Sequence, residues 1–257
     1  MSNGRAGLRW VAPALAILIL AVWELVGRMQ LIPIVFLPSP SLIIATLFKM
    51  VRGGELPMHF GVTITRMAVA LVWGGGFGLL LGLALGYSSK LRTVIDPFIA
   101  ALHPVPRTAL LPLILLLFGI GFFSKALAVS IACFFPMVIN TMAGVREIDP
   151  NYFDVAKVYG ASRSRIFWRV VLPGGLPMIL TGVRLAMTRA LGATIALELI
   201  TAQTGLGSML FFAWQTYRSE ELFATLFVIA GLGFSFRAFT NRITFLLVPW
   251  QRELAGR

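Results

Sequence analysis

The chain has 257 residues, of which 58% are hydrophobic and 12% are charged. This composition lies outside the range of soluble globular domains and is typical of a multi-pass membrane protein. The net charge is +12, but the basic residues are spread over loops rather than concentrated on one polar domain, which argues against a nucleic-acid-binding protein. The single cysteine, Cys133, excludes a disulfide within one chain and a thiolate metal cluster.

Apolar runs along the chain predict an all-α membrane protein with about six transmembrane helices, because one span needs roughly 20 apolar residues. The first run is long for the core of a signal peptide, and no small-residue cleavage site follows it cleanly, so we predict that it is a retained span. Residues 31–58 are predicted to lie along the outer surface, and residues 201–221 to form an outer loop or a re-entrant segment. The predicted spans are residues 11–26, 62–87, 97–118, 126–145, 175–200 and 222–247.

Glycines recur at every fourth position of the second predicted span, which places them in one stripe of a helix. Such stripes let helix backbones approach closely in lipid, so we predict a tightly packed helix here, within the chain or at a subunit interface. A nucleotide-binding loop is the competing interpretation, but no GxxxxGK[ST] pattern occurs in the chain, which therefore supplies no ATP site of its own. The stripe consists of Gly74, Gly78, Gly82 and Gly86.

Three prolines interrupt the third predicted span: Pro104, Pro106 and Pro112. Proline removes a backbone donor, and transmembrane helices tolerate it where neighbouring groups satisfy the freed carbonyl. The third span is therefore predicted to be bent or broken.

One face of the fifth predicted span carries ionisable residues. Charged groups at membrane depth usually face a bundle interior or an aqueous cavity, so we predict that this face lines a translocation path. The alternative for its arginines is that they lie near the cytoplasmic end and extend to the lipid headgroups. Glu198, nearer the outer end, is predicted to gate the path or to pair with a cation. The face comprises Arg184, Thr188, Leu191, Ile195 and Glu198.

The longest polar interval of the chain is residues 147–173. Asp149 followed by Pro150 is a strong helix start, because the carboxylate caps free N–H groups and proline suits the first helical position. Gly160 can close that helix in the left-handed conformation, and Ser162 can cap a second one. That second helix is predicted to end before Pro173, so the interval should be two short helices around a glycine bend.

Basic residues are distributed unevenly across the predicted spans. With the N-terminus inside, sixteen of the 22 lysines and arginines fall in or towards the cytoplasm, and six, including Arg66 and Lys125, fall on the other side. The positive-inside bias then predicts that both termini and the 147–173 interval are cytoplasmic.

The same interval resembles the cytoplasmic signature loop of bacterial ABC-importer permeases, usually written E-A-A, three residues, G, nine residues, I, one residue, L-P. Here Asp, Val and Val replace the first Glu, the first Ala and the Ile. The segments 37–40, 136–140 and 205–207 further resemble the permeases of sulfonate, taurine and nitrate importers. The matching positions of the loop are Asp154, Val155, Ala156, Gly160, Val170, Leu172 and Pro173.

This resemblance implies a type I ABC-importer permease fold over residues 1–257, with a core at about 62–247 and a coupling helix in the 147–173 loop, which docks on an ATPase. It implies two ATPase subunits that hold ATP and magnesium, a second permease copy, an extracytoplasmic solute-binding protein and a lipid-embedded location in the bacterial inner membrane. The chain itself would bind no cofactor. The implied cargo is a small anion such as a sulfonate, taurine or nitrate, although related permeases carry uncharged or vitamin-precursor cargo.

Two other classes compete with a permease. An ion-coupled secondary transporter or channel would need a relay of buried carboxylates or an inverted repeat, but only Glu24 and Glu198 are acidic within the predicted spans. A membrane-embedded enzyme would need paired carboxylates or a metal constellation, and His59 and His103 are isolated in the sequence. We therefore predict no catalytic residue and no metal site.

Overall fold

The computed structural model describes residues 3–201 and 204–250, with side chains omitted at 3–10 and 107–108. These ranges are mostly helical and contain no strand. A 3-10 turn, Arg107–Leu110, accompanies the α-helices. The helices are α1 (Asn3–Arg28), α2 (Pro40–Arg52), α3 (Glu55–Tyr87), α4 (Ser89–Leu102), α5 (Leu111–Phe118), α6 (Phe122–Arg146), α7 (Pro150–Val158), α8 (Arg163–Thr201), α9 (Leu206–Gln215) and α10 (Ser219–Leu247).

Five helices of the described chain are long and apolar enough to cross a membrane: α1 from Val11 onwards, α3, α6, α8 and α10. The third predicted span, residues 97–118, is broken as its prolines predict. α4 ends at Leu102 and α5 begins at Leu111, with Pro104 and Pro106 between them. Proline disfavours the helical conformation of the residue before it and donates no hydrogen bond, so the helix stops there.

Helix α6 lies at the centre of the bundle, between α3 and α8. Val129 and Cys133 of α6 are buried against Ala186 and Ala190 of α8 and Met67 of α3. Small residues on α8 let the two backbones approach, which is how helices gain packing contacts in lipid. Helices α3, α6 and α8 therefore form the core that positions the sites below.

The glycine stripe of α3 faces α6 along its whole length. A Cβ added to Gly78 would lie 2.6 Å from the carbonyl oxygen of Phe134, and one added to Gly82 would lie 2.6 Å from Cβ of Thr141. Gly74 and Gly86 meet α6 in the same way, the latter at Val145. The structure thus places the stripe in a close helix contact within one chain.

Helix α1 is mostly exposed and joins the bundle near its C-terminal end. Trp23 Nε1 donates a hydrogen bond to the carbonyl oxygen of Pro38 at 3.0 Å, and its ring centroid lies 6.0 Å from that of Phe223 in α10. Glu24 pairs with Arg28 and accepts a hydrogen bond from the Ser41 backbone N–H at 2.9 Å. Glu24 therefore connects α1 to α2.

Helix α2 and the start of α3 lie in the segment 31–58, which is predicted to lie along the outer surface, and they pack against the bundle. Ile43 and Met50 of α2 are buried against Leu206 of α9 and Ala224 of α10. The second long helix begins at Glu55, seven residues before the predicted start at 62. An amphipathic segment has an apolar face to bury, and here the bundle provides the partner for it.

Candidate functional site

The first half of the 147–173 interval has the predicted conformation. The Asp149 carboxylate accepts a hydrogen bond from the Asn151 N–H at 2.9 Å, so it caps α7, which begins at Pro150. Gly160 has φ +69°, a left-handed conformation that favours glycine. Ser162 Oγ accepts from the Arg165 N–H at 3.3 Å and caps the next helix. The helix, glycine bend and second N-cap are confirmed.

The prediction that the second helix ends before Pro173 was wrong. α8 continues through Pro173 as far as Thr201. Its turn Phe167–Val171 is π-helical, and the Leu172 N–H donates to the carbonyl of Phe167, five residues earlier. This wider turn rearranges the hydrogen bonds where Pro173 lacks a donor, so the helix is not interrupted.

Helix α7 rests on the bundle through one side only. Phe153 and Ala156 are half-buried and pack with Val145, Ile166 and Val171 of α6 and α8. None of the nine residues of α7 is fully buried. The bundle therefore holds the helix firmly enough to orient it while leaving most of its surface open.

The opposite side of α7 and the adjoining bend form an exposed apolar surface, which we call the α7 face. Its members are large and solvent-facing, and Tyr159 is 84% exposed. Exposed apolar patches of this kind are typical of protein–protein contact sites. The α7 face consists of Tyr152, Val155, Val158 and Tyr159.

The structure separates the other positions of the predicted docking loop by burial. Asp154 is exposed and pairs with Lys157 at 3.1 Å. Gly160 is exposed at the bend. Ala156, together with Val170, Leu172 and Pro173 at the base of α8, is half-buried. Only the first part of the predicted motif is thus available to a partner, and the rest fixes α7 to the bundle.

The five residues predicted to line a path do not form one open face. Arg184 and Thr188 are exposed, and the Thr188 hydroxyl donates to the carbonyl of Arg184 at 3.0 Å. Leu191 and Ile195 are half-buried. Glu198 is fully buried at 0% exposure. Only the half of the face nearer the 147–173 interval is open in a single chain.

Glu198 lies in a buried ion pair with Arg66 of α3. The Arg66 Nη1 to Glu198 Oε1 distance is 2.7 Å, and Arg66 is 4% exposed. The Thr63 hydroxyl lies 3.0 Å from both carboxylate oxygens, and the Gly207 N–H donates to Oε2 at 3.0 Å. The carboxylate is therefore charge-paired and hydrogen-bonded on both oxygens, as a buried charge requires.

The turn before α9 is bound into the same network. Arg66 donates to the Thr204 carbonyl and hydroxyl, both at 2.7 Å. The Gly205 N–H donates to Nδ1 of His59 at 2.9 Å, and the Leu206 N–H to the Thr63 hydroxyl at 2.9 Å. We call the set of His59, Thr63, Arg66, Glu198 and residues 204–208 the clamp.

The Glu198 carboxylate is also favourably placed relative to α9. Helix α9 begins at Leu206, so the Glu198 carboxylate lies at its N-terminal end. The unpaired N–H groups and the helix dipole there favour an anion. A cavity of about 400 Å³ adjoins this region, lined in part by His59, Thr204, Arg218 and Glu221.

Sequence reasoning missed Arg66 as the partner of Glu198. Arg66 and Lys125, both counted towards the outer side of the membrane, are buried in the bundle. His59 had been interpreted as isolated, yet it accepts the Gly205 hydrogen bond. The signal was present, because Arg66 is a charge inside a predicted span and such a charge needs a partner. Within residues 3–201 and 204–250, no cluster of three His, Cys, Asp or Glu side chains fits a metal ion.

Comparison with known proteins shows similarity to transport components. Residues 74–253 match the family model described as "Binding-protein-dependent transport system inner membrane component". The taurine transport system permease protein TauC of Escherichia coli (strain K12) is 36% identical over 241 residues, covering 92% of this chain and 88% of that protein. SsuC of Bacillus subtilis (strain 168), named for aliphatic sulfonates transport, is 32% identical over 254 residues, covering 98% of this chain and 92% of that protein.

Two further comparisons extend this similarity. The formylaminopyrimidine transport permease protein ThiX of Halalkalibacterium halodurans is 27% identical over 238 residues, covering 92% of this chain and 94% of that protein. Among solved structures, a chain of the inward-facing MetNI methionine ABC transporter matches with TM-score 0.60 at 18% identity, covering 71% of this chain and 92% of that chain. A chain of an amino acid ABC transporter matches with TM-score 0.59 at 21% identity, covering 80% of this chain and 98% of that chain. At these identities the structures establish a shared fold.

Proposed function

Because the chain belongs to the family of inner membrane components of binding-protein-dependent transport systems, we propose that it forms the translocation path for a small sulfonate in an ABC importer. The chain is a permease subunit of this class, and such subunits work with an ATPase and a solute-binding protein. The observation that carries the coupling mechanism is the α7 face. A helix fixed to the bundle on one side and apolar on its open side is suited to dock on a partner.

The partner proposed for the α7 face is a cytoplasmic ATPase. The chain has no GxxxxGK[ST] loop to hold nucleotide phosphates, so ATP and magnesium would be bound in that separate subunit. Two copies of this chain, each docked on one ATPase, would give a two-fold symmetric importer. ATP-driven movement of α7 would then switch the spans between outward-open and inward-open states, and the chain itself would catalyse no reaction.

The proposed cargo is a small organic sulfonate, taurine included. The names of TauC and SsuC support this class, since both relatives are more than 30% identical over most of the chain. Arg184, on the face predicted to line the path, is exposed, and its positive charge there would attract an anion. ThiX, the more distant relative, supports a second candidate class of uncharged pyrimidine cargo.

The proposed location is the bacterial inner membrane, with both termini and α7 on the cytoplasmic side. Helices α3 and α6 run parallel, since Gly74 faces Ser130 and Gly86 faces Val145, so α4 and α5 would together make the sixth crossing between them. The excess of basic residues on that side, sixteen against six, supports this orientation. The clamp, at the far end of α8, would then lie towards the outer side, where a solute-binding protein delivers cargo.

Uptake into proteoliposomes tests the proposal. The chain is co-expressed with a candidate ATPase and a candidate binding protein from its host, and uptake of labelled taurine, an alkanesulfonate, nitrate and a pyrimidine is measured with and without ATP. We expect ATP-dependent uptake of the sulfonates. Ionophore-sensitive uptake in liposomes without ATP would instead establish a secondary transporter.

A matched pair of variants tests the docking surface. Tyr159→Ala removes the most exposed ring of the α7 face, whereas Tyr87→Ala removes an exposed ring at the end of α3. Truncating a central aromatic contact typically weakens an interface by about tenfold or more. We therefore expect the ATPase to be lost on purification with Tyr159→Ala and retained with Tyr87→Ala. Equal retention by both variants would place the ATPase contact elsewhere.

A further inference from the structure

The beginning of α9 is held by side chains of other helices. We call residues 204–215 the α9 segment. The N–H groups of Gly205, Leu206 and Gly207 donate to His59, Thr63 and Glu198 respectively. The first N–H groups of a helix have no partner within it, so these side chains supply what α9 itself lacks. The segment is therefore joined to α3 and α8 by its backbone.

The bonds to Thr63 and Glu198 lie where water cannot replace them, whereas His59 is half-buried beside the cavity. Thr63 and Glu198 are fully buried, and Arg66, which holds Thr204 as well as Glu198, is nearly so. Separating one partner leaves the other as an uncompensated buried charge or an unsatisfied polar group. Breaking the bonds among Thr63, Arg66 and Glu198 one at a time is therefore costly, which favours keeping this buried part of the clamp intact.

The glycines of the segment reflect close packing rather than a hinge. A Cβ on Gly205 would overlap the Glu198 carboxyl group. A Cβ on Gly207 would lie 2.5 Å from the carbonyl oxygen of Ile195 and 2.7 Å from Cβ of Glu198. Both positions need glycine because α8 approaches so closely there, and that contact restricts movement instead of permitting it.

The far side of α9 is packed as well. Leu206 and Met209 are buried with Ile43, Met50 and Ala224 of α2 and α10. Hydrogen bonds on one side and apolar contacts on the other restrict rotation of the buried half of the segment relative to its neighbours. This arrangement differs from a mobile lid, which has few buried contacts.

We propose that the α9 segment moves as one rigid unit with α3 and α8 throughout transport, so that it forms a fixed wall of the path. Glu198 and Arg66 are then positioning residues of that wall, and the role of a gate, predicted as one possibility for Glu198, falls to another boundary of the bundle. The role as a wall of the path and the comparison of nucleotide states below rest on the proposed importer function. The anchoring by Glu198 is tested independently of it.

Thiol protection at Ser208 provides the test. Ser208 is fully buried and donates to the carbonyl of Glu198 at 3.1 Å, so Ser208→Cys is a small change inside the clamp. With Cys133→Ala the new thiol is the sole one in the chain. Labelling by a water-soluble maleimide is compared with Thr216→Cys, an exposed position at the end of the same helix. The complex with its ATPase is labelled without nucleotide and after trapping with ATP and vanadate.

A rigid wall predicts that the thiol introduced by Ser208→Cys stays protected in both states, with labelling about 100-fold slower than that of Thr216→Cys, because reaction requires local opening. Rapid labelling in either state would show a gate and overturn the proposal. A complex that hydrolyses no ATP would contradict the proposed function, while the nucleotide-free measurement still reports on the clamp.

The anchoring role is tested by loosening the clamp. Glu198→Gln and the milder Thr63→Val, each combined with Ser208→Cys, are expected to raise the labelling rate at least tenfold, since each removes an interaction that fixes the turn. Size-exclusion chromatography checks that the variants remain folded. If Glu198→Gln does not fold, the labelling rate of the Thr63→Val variant provides the test. Unchanged protection in the folded variants would show that apolar packing alone holds the segment, which refutes the assigned role of Glu198.

Discussion

The contact between α3 and α6 can be tested by adding one methyl group. Gly78→Ala places a Cβ 2.6 Å from the carbonyl oxygen of Phe134 and 2.8 Å from Cβ of Met137. The first contact is with backbone, which cannot rotate away as a side-chain end can. Gly76 lies on the same helix with nothing within 4 Å of an added Cβ, so Gly76→Ala is the matched control.

The magnitude follows from the distances. Ordinary contact begins near 3.4 Å, so the helices must separate locally by roughly 0.8 Å, a gap that forfeits about a quarter to a half of the dispersion energy of the atoms involved. Overpacking of this kind costs about 1–3 kcal/mol. Gly76→Ala adds no clash and should be neutral or stabilising by up to ~1 kcal/mol, since alanine is the better helix former.

Unfolding of the two purified variants in mild detergent measures the difference. For a chain of this size about 1 kcal/mol corresponds to a shift of ~2–4 °C in Tm, so Gly78→Ala should unfold at least ~2 °C below Gly76→Ala. Equal Tm values would mean that the α3–α6 contact yields without cost, and would refute the close-packing role assigned to the glycine stripe.

Two further predictions concern the clamp and the bend after α7. Arg66→Gln leaves the Glu198 carboxylate buried without its charge partner, so it should destabilise the fold by about 3–5 kcal/mol in a denaturant titration. Arg218→Gln, the control, disrupts a largely exposed ion pair and should cost less than ~1 kcal/mol. Gly160→Val should lower the amount of ATPase that co-purifies, because a φ of +69° strains a β-branched residue. Gly160→Asn should retain the ATPase, because asparagine tolerates that conformation. Similar ATPase yields with the two variants would exclude a role for the left-handed conformation of Gly160 in docking.

The bend after α7 was predictable because its signals are local. Asp149, Gly160 and Ser162 each act on backbone groups within a few residues of themselves, so their types and spacing determine two helix starts and one helix end. Pro173 misled the prediction because the sequence does not show that a π-helical turn precedes it. The competing effect was a rearranged hydrogen-bond ladder, which depends on the packing of α8 in the bundle.

The clamp was not predictable in the same way. Arg66 and Glu198 are 132 positions apart, and no local pattern specifies that they meet. The general rule that a charge inside a span needs a partner identifies both as unusual but does not pair them. The helical face from Arg184 to Glu198 shows a related limit, because periodicity indicates which residues share a side of α8 but not where the bundle covers that side.

Helix α8 physically connects the two sites. It runs without interruption for 39 residues, from Arg163 to Thr201, a length of about 58 Å at 1.5 Å per residue. One end continues from the bend after α7, whose packing cluster includes Ile166 and Val171 of α8 itself. The other end carries Glu198. The π-helical turn, Pro173 and Pro177 all lie between residues 167 and 177, so bending is expected in the half of the helix nearer α7, and the part from 178 to 201 can transmit movement rigidly. In the proposed importer, displacement of α7 by the ATPase would therefore shift α8, α3 and the α9 segment together. The change between outward-open and inward-open states would then occur where this unit meets the second copy, not within the clamp.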